Sequence, residues 1–223
     1  MIALDSVAHG YGAATLFSEV SFEIEPGSFH FLTGPSGAGK TTFLKLCYGE
    51  LTPSAGRLSL FGQPLGSLGR DALAATRRRI GIVHQDCQFL DHLPLRDNVA
   101  LPLIAAERMI PESDLDDLLA WVGLSAQAQA LPPTLSGGER QRATLARAVI
   151  TSPEVLLADE PTGNLDWDMS MRLLSLITEL NRMGTAVLIA THDLALIRAA
   201  KAQVSARVLR MVGQRLQAAG AEL

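Results

Sequence analysis

The chain has 223 residues, 48% of them hydrophobic and 19% charged, with a formal net charge of −4. This balance excludes a disordered chain and leaves enough apolar surface for one or two packed domains. It provides no overall electrostatic attraction for nucleic acid, and no run reaches the roughly 18 apolar residues of a membrane span.

The opening segment MIALDSVAHGYG has no basic stretch ahead of an apolar one and does not read as a secretion signal, so the chain is expected in the cytoplasm. Any membrane role is then expected to come through a partner. The two cysteines, Cys47 and Cys87, fit a reducing compartment and read as small buried hydrophobes.

The first elements read as strands. In SFEIEPG, Phe22 and Ile24 alternate with Ser21, Glu23 and Glu25, the pattern of a half-buried strand ended by the turn Pro26-Gly27. SFHFLTG runs directly into a glycine-rich loop, and from Lys40 onward Phe43, Leu44, Leu46 and Cys47 fall at helical spacing. GRLSLFG and RRIGIVHQD predict two further strands. The arginine run Arg77 to Arg79 between them fits the cationic last turn of a helix, with contact to anionic lipid as the alternative.

From about residue 91 to 150 the pattern is mostly helical, punctuated by Pro94, Pro102, Pro111 and Pro132-Pro133. SDLDDLLAWVGL predicts the clearest helix, with Ser113 as N-cap and Gly123 near its end. GERQRATLARAVI predicts another. Beyond residue 150, EVLLADEP and TAVLIATHD carry apolar runs too continuous for half-exposed strands and predict buried parallel strands. MSMRLLSLITELNRMG predicts a helix closed by Gly184, and SARVLRMVGQRLQ a hairpin turning at Gly213-Gln214. The simplest account is one α/β domain, 1–223, with a core of about 1–90 and 151–223 and a helical insertion of about 91–150.

Two stretches carry evident chemistry. GPSGAGKT, residues 34–41, fits the phosphate-loop pattern between a strand and a helix. Gly34, Pro35, Ser36, Gly37, Ala38 and Gly39 form a backbone cradle for phosphate oxygens, helped by the start of the helix. Lys40 adds a point charge, Thr41 offers a hydroxyl to Mg²⁺, and Thr42 follows it. In VLLADE, Asp159 and Glu160 stand at the end of a buried strand, where open parallel sheets bind ligands. Asp159 there can hold Mg²⁺, and Glu160 can polarise a water for attack on a γ-phosphate.

Together with HQD, LSGGERQR, NLD and THD, in this order and across most of the chain, these stretches resemble the nucleotide-binding subunit of ABC ATPases. ADEPTGNLD resembles the subfamily of lipoprotein-releasing, macrolide-exporting and cell-division ATPases. FLTGPSGAGK, RRRIGIVHQD, DNVALPL and LIATHDLALI most resemble the bacterial cell-division FtsE family.

The resemblance implies a RecA-like P-loop core with an N-terminal antiparallel β subdomain and an inserted α-helical subdomain. It implies that Tyr11 stacks on adenine, though ordinary packing is an alternative. It implies that Gln85 contacts Mg²⁺ and the attacking water, and that Ser136, Gly137 and Gly138 reach the γ-phosphate of ATP held by a second subunit. Asp159 is implied to bind Mg²⁺, Glu160 to be the general base, Asp166 to sit at the subunit interface, and His192 to hold the γ-phosphate and orient the water. Gln85 and Asp166 could instead be surface polar residues.

His84 stands where the family has an aromatic residue, and Thr41-Thr42 replaces Ser-Thr. The implied activity is ATP hydrolysis with ATP and Mg²⁺ in an ATP-bound homodimer. The implied partner is an FtsX-like membrane protein, at the cytoplasmic face of the bacterial inner membrane, in the regulation of cell-wall hydrolysis. A lipoprotein-releasing or macrolide-export ATPase is the alternative, and a soluble ABC protein acting on ribosomes or DNA a more distant one.

Overall fold

Two sheets set the architecture of the computed structural model, which describes residues 1–12, 14–86, 88–163 and 165–218. Strands β1 (Ile2–Tyr11), β2 (Ala14–Ile24), β4 (Ala55–Leu60) and β5 (Gln63–Pro64) form an antiparallel sheet in the order β2-β1-β4-β5. Ile2 pairs with Ile24 and Leu60, and Leu4 with Phe22 and Leu58. This register gathers the apolar side chains on one face, while Ser21 and Glu23 remain exposed.

The second sheet runs β10-β9-β3-β8-β7-β6, built from β3 (Phe29–Thr33), β6 (Ile80–Val83), β7 (Val155–Asp159), β8 (Ala186–Ala190), β9 (Ala206–Val212) and β10 (Arg215–Ala218). All its pairings are parallel except the terminal hairpin β9–β10. Every residue of β3, β7 and β8 is buried, as continuous apolar runs require when both faces are covered. Leu157 and Leu188 pack on the side of α1 (Lys40–Cys47) and the antiparallel sheet. Leu156, Val187 and Ile189 face α5 (Gly137–Val149), α6 (Trp167–Arg182) and α7 (Leu194–Lys201).

A third cluster joins α3 (Leu95–Ala105) and α4 (Glu112–Trp121) to α5, around Leu95, Val99, Leu119 and Ala146. Two local expectations need correction here. Pro111, not Ser113, occupies the N-cap position of α4, and the Ser113 hydroxyl donates to Asp114 within the first turn. Proline ahead of a first turn loses no intrahelical bond, because the first N–H groups have no partner in any case. Pro102 lies inside α3, where the helix ends at the next turn and little ladder is lost.

The arginine run follows α2 (Arg70–Arg77) and is consumed internally. Arg77 donates to the Tyr48 and Gly49 carbonyls behind α1, and Arg78 to the Ala105 carbonyl. Arg79 makes a two-point pair with Glu154 and lies over the Phe61 ring at 3.6 Å. The run therefore ties the core to α3. Cys47 is fully buried, and desolvation pushes its thiol well above the usual range. Cys87 lies outside the described residues.

Candidate nucleotide-binding and hydrolysis site

Because β6, β7, β8 and β3 are parallel neighbours, their C-terminal ends open on one edge of the sheet. Each end delivers a candidate residue: the phosphate loop after β3, Gln85 after β6, Asp159 and Glu160 at and after β7, and His192 after β8. These residues, with Tyr11 from the antiparallel sheet, line one cleft of about 680 Å³.

The phosphate loop folds back on itself. Gly39 leads into α1 with φ +94°, a conformation that favours glycine. The Ala38 N–H donates to Pro35 O at 3.2 Å. Lys40 Nζ donates to the carbonyls of Gly34 (2.9 Å) and Pro35 (3.3 Å), which holds its charge across the loop. Gly34, Pro35, Ser36, Gly37, Gly39, Lys40, Thr41 and Thr42 all line the cleft, although Thr42 is only 8% exposed; Ala38 is not part of the lining.

Across the loop lies Asp159, 8% exposed and hydrogen-bonded to Thr41. Burial raises its carboxyl above the usual range. The Glu160 charge adds to the rise, while the Thr41 hydrogen bond and Lys40 oppose it. Glu160 adopts φ +44°, a left-handed conformation that a non-glycine residue holds only when its surroundings enforce it. Its N–H donates to Ala190 O at 2.8 Å. One carboxylate oxygen, Oε1, meets His192 Nδ1 at 2.8 Å, and the other, Oε2, accepts from Thr191 Oγ1 at 3.1 Å.

Tyr11 is half-exposed and stands edge-on to His9, with ring centroids 5.4 Å apart. The His9 Nδ1 to Thr52 O contact of 3.0 Å fixes the supporting ring. His84 similarly meets Tyr48 edge-on at 6.3 Å, behind the phosphate-loop helix.

Ser136, Gly137, Gly138 and Asp166 do not line this cleft. They form a separate surface where two helices begin. Ser136 caps α5: its hydroxyl donates to Glu139 Oε2 at 2.7 Å, and the Glu139 N–H returns to Ser136 Oγ at 3.3 Å. This capping box and the Ser136 N–H draw the Glu139 carboxyl below its usual range. Asp166 caps α6 by accepting the Met169 N–H at 2.8 Å. Met169 then connects the two starts, because its sulfur accepts from Arg142 and packs beside Gly138.

Sequence reasoning overlooks Thr191, Glu139 and the bridging part of Met169. The serine followed three residues later by glutamate is a visible capping signal. Nothing local to Met169 or Thr191 announces its contact. Asn164 of the NLD stretch lies outside the described residues.

Comparison with known proteins agrees with this geometry. The ABC transporter family model matches residues 17–163. The cell-division ATP-binding protein FtsE of Haemophilus influenzae is 43% identical over 202 residues, covering 89% of this chain and 93% of the relative. Its counterparts in Escherichia coli K12 and Bacillus subtilis are 44% and 36% identical, covering 88% and 92% of this chain and 90% and 92% of their own lengths. Among solved structures, the dimeric post-hydrolysis state of the ATP-binding cassette MJ0796 bound to ADP and Pi superimposes with a TM-score of 0.86 at 30% identity, covering 97% of each chain. The motif set, the two-sheet architecture and these relatives together place the chain in the ABC transporter family of ATPases, among the cell-division ATP-binding proteins FtsE.

Proposed function

We propose that this ATPase powers an FtsEX-type complex in bacterial cell division, acting on an FtsX-like membrane protein to regulate cell-wall hydrolysis from the cytoplasmic face of the inner membrane. The observation that carries the reading is similarity to FtsE proteins over about nine-tenths of the chain, combined with a cleft that collects every hydrolytic residue of the motif set. Among the described residues no helix is long and apolar enough to cross a membrane.

In this reading the loop amides and Lys40 grip the phosphates, and Tyr11 stacks on the adenine. Thr41 and Asp159 present a hydroxyl and one carboxylate, a hard oxygen pair that suits Mg²⁺ carried largely by phosphate oxygens. Thr41, Asp159 and Gln85 would hold Mg²⁺, which would supply charge neutralisation on the phosphates. Glu160 takes a proton from the attacking water, and His192 holds the γ-phosphate and orients that water. The Ser136 to Gly138 helix start closes over the γ-phosphate from a second subunit, with Asp166 at the same interface. ATP drives closure only through its greater affinity for the closed pair. The separate packing cluster of α3, α4 and α5 supports treating about 91–150 as a helical subdomain on a core of about 1–90 and 151–223.

The test is co-purification from detergent-solubilised membranes. Recovery of a four-span FtsX-like protein supports the reading. Recovery of a lipoprotein-release permease instead replaces the cell-division role with the transporter alternative.

A further inference from the structure

Thr191 is fully buried and follows β8 directly. Its backbone N–H donates to Leu32 O at 3.0 Å, which anchors it to the strand that leads into the phosphate loop. The hydroxyl is used twice. Oγ1 accepts the Asp193 N–H at 3.1 Å and stands 3.1 Å from Glu160 Oε2. An ionised carboxylate has no proton to give, so the single hydroxyl proton points to Glu160. Asp193 is itself the N-cap of α7 and accepts from Ala195 and Leu196, so the far side of Thr191 is also held.

The two oxygens of Glu160 therefore have unlike partners. Oε2 is bound by a buried hydroxyl fixed at both ends. Oε1 is bound by His192, whose side chain is 74% exposed and has room to turn. We propose that Thr191 is the positioning residue for the hydrolytic base: it holds Glu160 Oε2 in place through turnover and leaves Oε1 as the oxygen that receives the water proton once His192 turns to the γ-phosphate. In that step a water O–H bond breaks and its proton passes to Glu160 Oε1. The water oxygen bonds to the γ-phosphorus, and the bond from that phosphorus to the bridging oxygen breaks, its electron pair leaving with ADP. The inference rests on Glu160 being the base.

The alternative is that the Thr191 hydroxyl merely satisfies the Asp193 N–H in the turn before α7. The two roles separate in solution. A hydroxyl that holds the carboxylate acts on kcat and is replaced in function by serine but not by valine. A hydroxyl that only accepts from the turn lowers thermal stability and leaves kcat in place.

The experiment measures steady-state ATP hydrolysis by the full chain, with ATP binding and thermal melting as controls, for Thr191→Val, Thr191→Ser and Glu160→Gln. Thr191→Val is expected to lower kcat by about tenfold to a hundredfold, the range for losing a hydrogen bond to a charged group. KM for ATP stays within about twofold, so the loss falls on kcat. Thr191→Ser restores the rate. Wild-type kcat in Thr191→Val overturns the proposal, as does a loss that serine fails to rescue. Should the valine variant not fold, Thr191→Cys, a weaker donor, is expected to show the same directions at smaller size, and an unchanged kcat there overturns it equally. Normal turnover in Glu160→Gln removes the base assignment itself. An inactive Glu160→Gln beside a normal Thr191→Val removes only the role of Thr191.

Discussion

Glu160 Oε1 and His192 Nδ1 stand 2.8 Å apart, so the two groups proposed for hydrolysis are hydrogen-bond partners. Lys40 shows the same feature, since its ammonium rests on the Gly34 and Pro35 carbonyls of its own loop. In the proposed mechanism these internal partners are exchanged for phosphate oxygens and water, which links nucleotide binding to the arrangement of the proposed catalytic groups.

Glu160→Gln keeps the shape of the side chain and removes the proposed base. Hydrolysis is expected to fall by about a hundredfold to ten-thousandfold, the usual contribution of a positioned general base. ATP binding should persist, and an ATP-stabilised dimer should accumulate, as read by light scattering. Near-normal turnover would remove Glu160 as the base.

Lys40→Ala deletes the one charged side chain of the 34–41 loop. Nucleotide affinity should drop by roughly tenfold to a hundredfold, consistent with the loss of charge-assisted hydrogen bonds. Isothermal calorimetry with ATP measures this directly, and an unchanged Kd rules out the phosphate-loop assignment.

A mixing experiment tests the separation of Ser136 from the cleft. Lys40→Ala and Ser136→Arg chains are each expected to be inactive alone. A heterodimer of the two regains part of the ATPase activity if Ser136 serves the nucleotide of the opposite subunit, because one composite site is then intact. If Ser136 serves its own subunit, every site is damaged and mixing restores nothing.

Asp159→Asn should stabilise the nucleotide-free protein while impairing hydrolysis. The folded carboxyl titrates above its unfolded value, so the stability tied to its proton is fully present below the unfolded pKa and is lost as pH rises through the folded one. At neutral pH the charge therefore opposes folding. Removing that cost is expected to raise Tm at neutral pH. The gain should shrink as the pH is lowered toward the acid range, and a lower Tm at neutral pH would contradict the sign.

Contiguous chemistry is legible in the order of residues alone. The phosphate loop, the Asp159-Glu160 pair and the buried strands declare themselves because a tight turn, a strand end and a continuous apolar run each need particular residues in immediate succession. The helix start at Ser136 is also visible, and the structure gives it as the N-cap of α5. The exact cap of α4 is not visible, since serine and proline both suit the start of a helix.

By itself the sequence determined the class of chemistry and the parallel core, since both follow from residue type and from spacing within a single element. Only the tertiary structure decided which groups meet across elements. Strand order β3-β8-β7-β6 set Thr191 and His192 against Glu160, and Asp159 against Thr41. It also paired the arginine run with Glu154 and the carbonyls of Tyr48, Gly49 and Ala105. The physical reason is that a contact between residues far apart in the chain depends on register and strand order, which arise from the packing of the whole sheet rather than from the residues on either side of the contact.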